Sequence, residues 1–509
     1  MQISVVALFL VYSLGVSIVG EAFSIASNQN SNWYIGFDLG TSGARISIVE
    51  GPSRNEIFSD SIRWDAYDDA SSWENTVYTL LRNAQSQLST KNNGFRNRVK
   101  SICISGTSAS CLLVDSKGNP TRTPRMYDYN VVNAIPISKD SENVSGDRAL
   151  ALLDRYAPPQ HTTRAPTSSL AKLLTWALEQ PLEIGEVLCH QSDYIAMKLM
   201  MGIKSDSAFC PLISSDWHNC LKCGYDVRSL EWPQWIDSCL QDAGIQHGIS
   251  SGVLPSRVVS PGEPLGYISP DMAAEFDLLL SPQTTVVGGT TDSNAAFFAA
   301  IDGGINAPLG TAVTSLGSTL AIKQLSKTYV EDSSRGVYSH RFPSFRNQNT
   351  DLWLIGGASN VGCAALRQQG FSDDELVTLS QGIDPDSDTH LSYYPLVKAG
   401  ERFPIADSNK QPNLEPIPDS RQDFLHGILQ SISIIERDGF QVLGELGAIP
   451  NKPTRIMTCG GGSKNTMWTQ MRQRILRSSF RDSSICVETA SNTEASYGAA
   501  LLASCTFES

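Results

Sequence analysis

The sequence predicts an α/β protein built from two related lobes, and two hairpins, one in each half of the chain, carry this prediction. In the first, WYIGFDLGTSGARISIVE at Trp33–Glu50, an apolar run ends at Asp38 and a second β-prone run follows a short turn. In the second, AVTSLGSTLAIK at Ala312–Lys323, two β-prone runs again flank a turn of glycine and hydroxyl residues. Similar turns in the two halves indicate two similar units with phosphate groups bound between them.

Both turns have the composition of a phosphate-binding loop. Glycine lets backbone N–H groups approach an anion closely, and hydroxyl side chains add further donors. The predicted phosphate ligands are the residues of the two turns, Gly40, Thr41, Ser42, Gly317, Ser318 and Thr319. Asp38, at the end of its strand, can hold a hydrated Mg2+ beside the phosphate, and a structural role in the turn is its alternative. For the first turn alone, an ordinary glycine-rich hairpin is the alternative interpretation.

A third motif, TCGGGSKN, lies near the C-terminus at Thr458–Asn465. It places Gly460, Gly461 and Gly462 between an apolar pair and a helical pattern. Bare backbone there allows a flat ligand to lie against the chain, and the Asn465 side chain can bind an adenine edge. Taken alone, this triplet is better explained as a plain strand-to-helix turn.

Periodicity and turn residues predict the main elements of the chain. In chain order these are a β-meander at Trp33–Ser61, a helix at Trp73–Leu88, strands at Val99–Ser105 and Cys111–Asp115, a helix at Ser168–Glu179, an irregular region at Ser205–Ile245, a strand at Val286–Gly289, a helix at Ser293–Ile301 and a long helix at Gln422–Leu446. Hairpins and parallel-type strands alternating with helices are typical of an α/β fold.

Together these motifs resemble those of the FGGY family of carbohydrate kinases, within the actin-like ATPase superfamily. The resemblance runs from about Trp33 to about Ala503 and depends on several motifs in one order. They are DLGTSGAR, GGTTDS at Gly288–Ser293, GERFP at Gly400–Pro404, GGGSKN, and EASYGAA at Glu494–Ala500. The resemblance implies two actin-like (ribonuclease H-like) lobes with a nucleotide and sugar cleft between them, and ATP and Mg2+ as cofactors.

We expect three parts along the chain. Residues 1–32 form a targeting leader, and residues 33–301 form an N-terminal lobe that binds sugar and phosphate and carries the catalytic aspartate. Residues 302–509 form a C-terminal lobe that binds ATP.

The leader prediction follows from the apolar run Ile3–Val19 and from small residues before Phe23 that suit a signal peptidase, although no Lys or Arg precedes Arg45. Its form resembles the two-part leader of algae with secondary plastids, which implies a plastid location; a cytoplasmic protein with a mispredicted start codon, the secretory pathway and a membrane anchor are the alternatives.

Composition limits the possible partners. A chain of 509 residues with 41% hydrophobic and 18% charged residues is typical of a globular protein with two or three domains. A net charge of −13 without a basic stripe argues against nucleic acid. We expect a small sugar and ATP as partners, no stable membrane association of the mature chain, and a monomer or homodimer. The lone C-x-x-C of Cys220 and Cys223 lacks a second pair, so reduced thiols are expected rather than a metal site.

Asp292 is the predicted catalytic base. A carboxylate at a strand end and helix start is held rigidly, and its N–H neighbours should keep it ionised. Phosphoryl transfer needs such a base on the acceptor hydroxyl, and the resemblance points the same way, since the matching aspartate is the family's catalytic base. Capping of the following helix is a compatible alternative. Glu401 and Arg402 are expected to form a structural pair, without a catalytic role.

The predicted sugar-binding residues are Ser42, Gly43, Arg45, Ser108 and Asp292. Arg45 can bind sugar hydroxyls or pair with an acid at the lobe surface. Xylulose kinases carry GQMHG where this chain has GTSAS at Gly106–Ser110, so Ala109 replaces their sugar-contacting histidine.

With SDWHN at Ser215–Asn219 and GGASN at Gly356–Asn360, the motifs most resemble the D-ribulose kinases of cyanobacteria and plastid-bearing eukaryotes. This resemblance implies phosphorylation of a ketopentose at a primary hydroxyl, D-ribulose to D-ribulose 5-phosphate first and D-xylulose second. Two other classes stay open, an ATP-driven binding protein of the actin or Hsp70 type and a sugar-sensing pseudokinase.

Overall fold

Two mixed β-sheets, one in each half of the chain, organise the molecule. The computed structural model describes residues 31–91, 97–133, 144–202, 213–246, 248–301, 307–343 and 351–508, so nearly all of the expected leader at 1–32 lies outside the described residues. Each sheet has its own helices and its own hydrophobic core. The predicted α/β architecture of two lobes is therefore confirmed.

The first sheet begins with the predicted meander. Its strands are β1 (Trp33–Leu39), β2 (Gly43–Glu50), β3 (Asn55–Arg63), β4 (Val99–Gly106), β9 (Pro264–Tyr267), β10 (Thr285–Val287) and β11 (Thr290–Thr291). The order is β3-β2-β1-β4-β10-β9, and β11 also pairs with β4. β1 and β11 both run parallel to β4, with Leu39 and Thr291 each opposite Gly106. The carboxyl ends of these three strands therefore meet at one edge of the sheet.

Helices α1 (Ala70–Lys91), α4 (Gln191–Met201), α7 (Pro270–Glu275) and α8 (Asp292–Ala300) accompany this sheet. An inserted region adds two strand pairs, β5 (Cys111–Val114) with β6 (Val187–His190) and β7 (Ser214–Asp216) with β8 (Arg257–Val259). It also contains α2 (Val144–Tyr156), α3 (Ser169–Glu179) and α6 (Gln234–Asp242), which share a small third core. Its fourth helix, α5 (Trp217–Cys220), instead packs Trp217 and Cys220 into the core of the second sheet. The prediction of an irregular region at Ser205–Ile245 was wrong for its described part, which contains β7, α5 and α6, while residues 205–212 lie outside the described residues. The apolar side chains of α6 pack into the third core.

The second sheet repeats the arrangement of the first. Its strands are β12 (Thr311–Leu316), β13 (Leu320–Ser326), β14 (Tyr338–Phe342), β15 (Leu352–Ser359), β16 (Arg455–Cys459) and β17 (Cys486–Thr489), in the order β14-β15-β13-β12-β16-β17. β12 pairs antiparallel with β13 and parallel with β16, as β1 does with β2 and β4. Its helices are α9 (Cys363–Gln368), α10 (Asp373–Gln381), the predicted long helix α11 (Arg421–Glu445) and α12 (Thr466–Phe480).

The last helix, α13 (Ala495–Glu508), returns to the first lobe. Ser47 Oγ lies 2.8 Å from Ser496 Oγ, and Ser101 Oγ donates to Ala503 O at 2.6 Å. A Cβ placed on Gly498 would lie 1.8 Å from Ala295 O, so only glycine allows α13 to approach α8 this closely. The boundary at residue 301 stays a prediction, and the C-terminal helix, although it is last in the chain, packs on the first sheet. None of the helices in the described ranges has the length and apolar character needed to cross a membrane.

Candidate active site

Two carboxylates lie at the edge where β1, β4 and β11 end. Asp292 is the first residue of α8, and its Oδ1 accepts from the Ser293 N–H at 2.6 Å. Asp38 stands one residue before the end of β1, opposite Ser105 of β4, whose hydroxyl lies 3.4 Å from Asp38 Oδ1. The fold therefore brings the predicted base and the predicted Mg2+ residue to the same place.

Burial controls the charge of both carboxylates. It raises the pKa of Asp38 to about 6, with a further rise from the negative charge of Asp292 and an opposing effect from Arg45. Burial also raises the pKa of Asp292, against the Ser293 N–H and the charges of Lys323 and Lys222. The expected N–H donor is present at Ser293, and the two lysine charges act in the same direction, but burial outweighs all three.

These residues fit a Mg2+ ion that is shared with phosphate. A divalent cation would offset the repulsion that the Asp292 charge exerts on Asp38. In the part of the chain that the structure describes, no group of three or more His, Cys, Asp or Glu side chains forms a complete metal cage. Mg2+ commonly binds through one or two carboxylates, water and substrate phosphates, so Asp38 suits that role without a cage.

The first predicted phosphate turn, residues 40–42, connects β1 to β2. The Gly40 N–H donates to Gly43 O at 3.0 Å, and Trp64 Nε1 donates to Gly40 O at 2.9 Å. Thr41 and Ser42 are exposed, so their hydroxyls are accessible to a ligand. A Cβ on Gly43 would lie 2.1 Å from the Ile62 carbonyl oxygen, which gives this glycine a packing role against β3.

Arg45 pairs with an acid, and the acid is Asp38. Its Nη1 donates to Asp38 Oδ2 at 3.2 Å, and its Nε lies 3.7 Å from Glu494 Oε2. Ion pairing was one of the two sequence interpretations of Arg45. Sugar binding by Arg45 stays a prediction.

The second predicted phosphate turn, residues 317–319, lies against the glycine triplet. Ser318 and Thr319 are exposed, and Arg367, which sequence reasoning missed, donates from Nη2 to Ser318 Oγ at 2.8 Å. Gly460 has a φ of 84°, and a Cβ there would lie 2.7 Å from the Leu316 carbonyl just before the turn. Two of the predicted ATP-binding segments therefore meet in the second lobe.

Within the triplet, Gly461 has open space where a side chain would stand. Asn465 caps α12, since its Oδ1 accepts from the Trp468 N–H at 3.0 Å and its Nδ2 donates to Ser380 Oγ at 2.8 Å. Its amide is thus already used, and adenine binding by Asn465 stays a prediction.

A buried ion pair supports the predicted nucleotide-binding side of the second lobe. Arg472 donates to both Glu436 oxygens at 2.7 Å and to Thr458 Oγ1 at 2.8 Å. Glu436 Oε1 also accepts from Thr314 Oγ1 at 2.5 Å. The pair joins α11 and α12 to β12 and β16, the strands that lead into the second turn and the triplet.

The GERFP motif is structural, in a different way from that expected. The Glu401 carboxylate accepts from Ser359 Oγ, Asn360 N and Arg402 N at 2.7 Å each, and from Tyr394 OH at 3.0 Å. The Arg402 side chain is exposed. The expected pairing of the two side chains was wrong, because the buried Glu401 binds backbone N–H groups and hydroxyls of the neighbouring loops instead.

Ser108 lies in a turn whose backbone is bound by the buried Lys172. The turn follows Gly106 at the sheet edge, and Ala109 within it is buried with a φ of 71°. Lys172 Nζ donates to Ala109 O at 2.8 Å and to Met126 O at 2.6 Å, and burial lowers the pKa of Lys172 to about 8. These contacts fix the turn that presents Ser108 near the strand ends.

The Ser215–Asn219 segment packs against Thr290, which lies two residues before Asp292 in the sequence. Asp216 is buried and accepts from the N–H groups of His218 and Asn219 at 2.9 and 3.1 Å. His218 Nδ1 lies 2.7 Å from Thr290 Oγ1. The segment therefore supports β11 and the start of α8.

Lys222 and Lys323 are two further residues near Asp292 that sequence reasoning missed. Lys222 lies in the turn Leu221–Cys223 after α5. Burial lowers the pKa of its ammonium group, and the negative charge of Asp292 only partly opposes this shift. Lys323 comes from β13 of the other lobe. It is the one charged residue in AVTSLGSTLAIK, and that position in an apolar strand was the available signal.

Comparison with known proteins agrees with this architecture. Residues 312–507 match the model of the FGGY family of carbohydrate kinases, C-terminal domain. They form an FGGY C-terminal domain. Xylulose kinase of Bacillus subtilis (strain 168) is 27% identical over 237 residues, which are 45% of this chain and 44% of that kinase. The chain thus spans less than half the length of this relative.

Several solved structures are similar to this one over more than nine-tenths of the chain. Xylulose kinase from Bifidobacterium adolescentis has a TM-score of 0.68 at 17% identity, covering 94% of this chain and 93% of that one. Gluconate kinase from Lactobacillus acidophilus has a TM-score of 0.68 at 16% identity, covering 94% and 90%. Glycerol kinase from Plasmodium falciparum, solved with ADP, has a TM-score of 0.70 at 14% identity, covering 93% and 89%. At these identities the likeness establishes the two-lobed actin-like fold.

Proposed function

We propose that the protein is an ATP-dependent carbohydrate kinase that phosphorylates a ketopentose at a primary hydroxyl. The observation that carries the proposal is the position of Asp292, at the start of α8 and beside Asp38 and the first phosphate turn. The FGGY C-terminal domain and the similarity to a xylulose kinase support it.

In the proposed reaction, Asp292 accepts the proton of the acceptor hydroxyl as the γ-phosphoryl group is transferred. A partly buried carboxylate with a raised pKa is a better base than an exposed one. The turns at residues 40–42 and 317–319 would hold phosphate oxygens with N–H and hydroxyl donors. Mg2+ beside Asp38 would neutralise phosphate charge. Phosphates held between the two turns require both lobes, so their approach would complete the site and exclude water.

We propose D-ribulose as the first acceptor and D-xylulose as the second. The small Ser108 and the buried Ala109, where xylulose kinases carry a histidine, support this order. A plastid location belongs to the same proposal, because D-ribulose 5-phosphate is a precursor for carbon fixation. Import of a fluorescent fusion carrying residues 1–32 tests the location separately.

The experiment is a panel of sugars with ATP and Mg2+, read as ADP release. We expect the highest kcat/KM with D-ribulose, a lower value with D-xylulose, and little release with gluconate or glycerol. ADP release that no sugar changes would favour an ATP-driven binding protein. Sugar binding without ADP release would favour a sensing pseudokinase.

A further inference from the structure

Lys323 connects the second lobe to the helix that begins with Asp292. Its ammonium group donates to Asn294 Oδ1 at 3.0 Å and to Ser293 O at 3.3 Å. Asn294 in turn donates from Nδ2 to Thr291 Oγ1 at 3.1 Å. One side chain of the second lobe is therefore linked to residues on both sides of Asp292.

The ammonium group of Lys323 lies where a positive charge is unfavourable unless an acidic group is near. A cation at the first turn of a helix faces the positive end of the helix dipole. Burial also disfavours the charged form and lowers the pKa of Lys323 to about 8, while the Asp292 carboxylate acts in the opposite direction. Asp292 is thus the main electrostatic reason for a charged lysine here.

We propose that Lys323 is a positioning residue, through which the second lobe fixes the first turn of α8 and holds the Asp292 carboxylate ready to accept a proton. The kinetic consequences depend on the proposed kinase function, whereas the contacts of Lys323 do not. Because Lys323 moves with the second lobe, separation of the lobes withdraws this cation. Asp292 then keeps Lys222 as its lysine neighbour in the described part of the chain.

The groups around Asp292 determine the expected pH dependence. Lys323 and Lys222 lower its pKa and burial raises it, while Asp38 is the neighbouring carboxylate. Removal of Lys323 should therefore raise the pKa of Asp292. A base is active as the carboxylate, so activity would be lost at a higher pH as the solution is acidified.

Other titratable groups near Lys323 do not replace its charge. Cys459 of β16 is near it, and burial raises the pKa of its thiol, so the thiol is uncharged near neutral pH. Burial lowers the pKa of His218 to about 4 and that of His340 well below its usual value. Both imidazoles are therefore neutral near neutral pH.

The kinetic test compares Lys323→Met and Lys323→Arg with Lys327→Met, a matched change at an exposed lysine near the end of the same strand. Profiles of kcat/KM for ATP against pH report the enzyme before nucleotide binds. For Lys323→Met we expect kcat to fall at least about tenfold and the acid limb to move to higher pH, with KM for ATP and ribulose nearly unchanged. Lys323→Arg should recover most of kcat and remove any alkaline limb near pH 8, where Lys323 loses its proton.

Two kinetic results would overturn the proposal. An unchanged acid limb in Lys323→Met would mean that Lys323 does not act through Asp292. A large rise in KM for ATP with little change in kcat would make Lys323 a nucleotide ligand instead.

A double-mutant cycle tests the Lys323–Asp292 link without any activity and so separates it from the proposed function. Tm is measured for the wild type, Lys323→Met, Asp292→Asn and the double variant. We expect Lys323→Met to lower Tm in the wild type. In the Asp292→Asn background, where a neutral amide no longer attracts the ammonium group, the same change should lower Tm less, because only the hydrogen bonds to Asn294 and Ser293 are then lost. An equal loss of Tm in both backgrounds would overturn the proposal even if the kinase assay succeeds.

Discussion

Arg45 donates from Nη1 to Asp38 Oδ2 at 3.2 Å, directly across the first hairpin. The two residues are opposite each other in the β1–β2 register, so the contact follows from the position of the turn. Arg45 is thereby the cation that opposes both the burial of Asp38 and the charge of Asp292. Arg45 therefore lowers the pKa of Asp38, the carboxylate proposed to order Mg2+.

Arg45→Ala should therefore make activity more sensitive to acid. Without the guanidinium, the pKa of Asp38 rises above about 6, so the carboxylate is protonated at a higher pH than in the wild type. We expect a loss of about fivefold at about pH 6, the scale of ~1 kcal/mol for a half-exposed pair, and a smaller loss at about pH 8. Arg82→Ala, at an exposed pair with Glu275, is the control. A pH-independent rise in KM for ribulose would instead identify Arg45 as a sugar ligand.

Asp292→Asn should retain ATP and sugar binding and lose most turnover. The amide keeps the shape of the side chain but cannot take the proton, so the rate should fall at least ~10²-fold. Calorimetric titration and single-turnover kinetics measure the two properties separately, with the exposed Asp419→Asn as control. Turnover within a few-fold of the wild type would remove Asp292 from the role.

Arg472→Met should destabilise the second lobe strongly. The substitution leaves Glu436 buried without its cation, and breaking such a pair costs about 3–5 kcal/mol. Arg455→Met breaks an exposed pair with Glu488 and should cost at most ~1 kcal/mol. Urea unfolding of both variants measures the difference. Similar losses would show that the buried pair contributes little.

Gly461→Val should weaken nucleotide binding without affecting the fold. No atom stands within 4 Å of a Cβ at this position, so the new side chain meets only what binds there. We expect Tm to stay unchanged and KM for ATP to rise about tenfold, within the ~1–3 kcal/mol of overpacking. KM for ribulose should not change. An unchanged KM for ATP would place the nucleotide away from the triplet.

Local pattern was sufficient for the hairpins and most helices. The turn at residues 40–42 lies between two β-prone runs, and Ser168 caps α3 as expected. The helix at Asp292 follows a short strand, as its sequence indicates. These features depend on residues that are close in sequence, so a single sequence is enough to predict them.

Contacts between distant segments could not be read in the same way. Lys323 reaches α8 from the other lobe, and α13 returns to the first sheet. Apart from neighbouring N–H groups such as that of Arg402, the partners of Glu401 are Ser359 at the end of β15, Asn360 and Tyr394, and the GER motif gave no sign of them. In each case a buried polar group is satisfied by a partner that only the tertiary fold brings near.

The most direct test of the proposed kinase follows the phosphoryl group itself. The protein is incubated with D-ribulose, Mg2+ and ATP whose γ-phosphoryl oxygens carry ¹⁸O, and the products are identified by mass spectrometry and ³¹P NMR. We expect D-ribulose 5-phosphate with the label in its phosphate from the wild type, and almost none from Asp292→Asn. Labelled inorganic phosphate with no sugar phosphate would contradict a carbohydrate kinase.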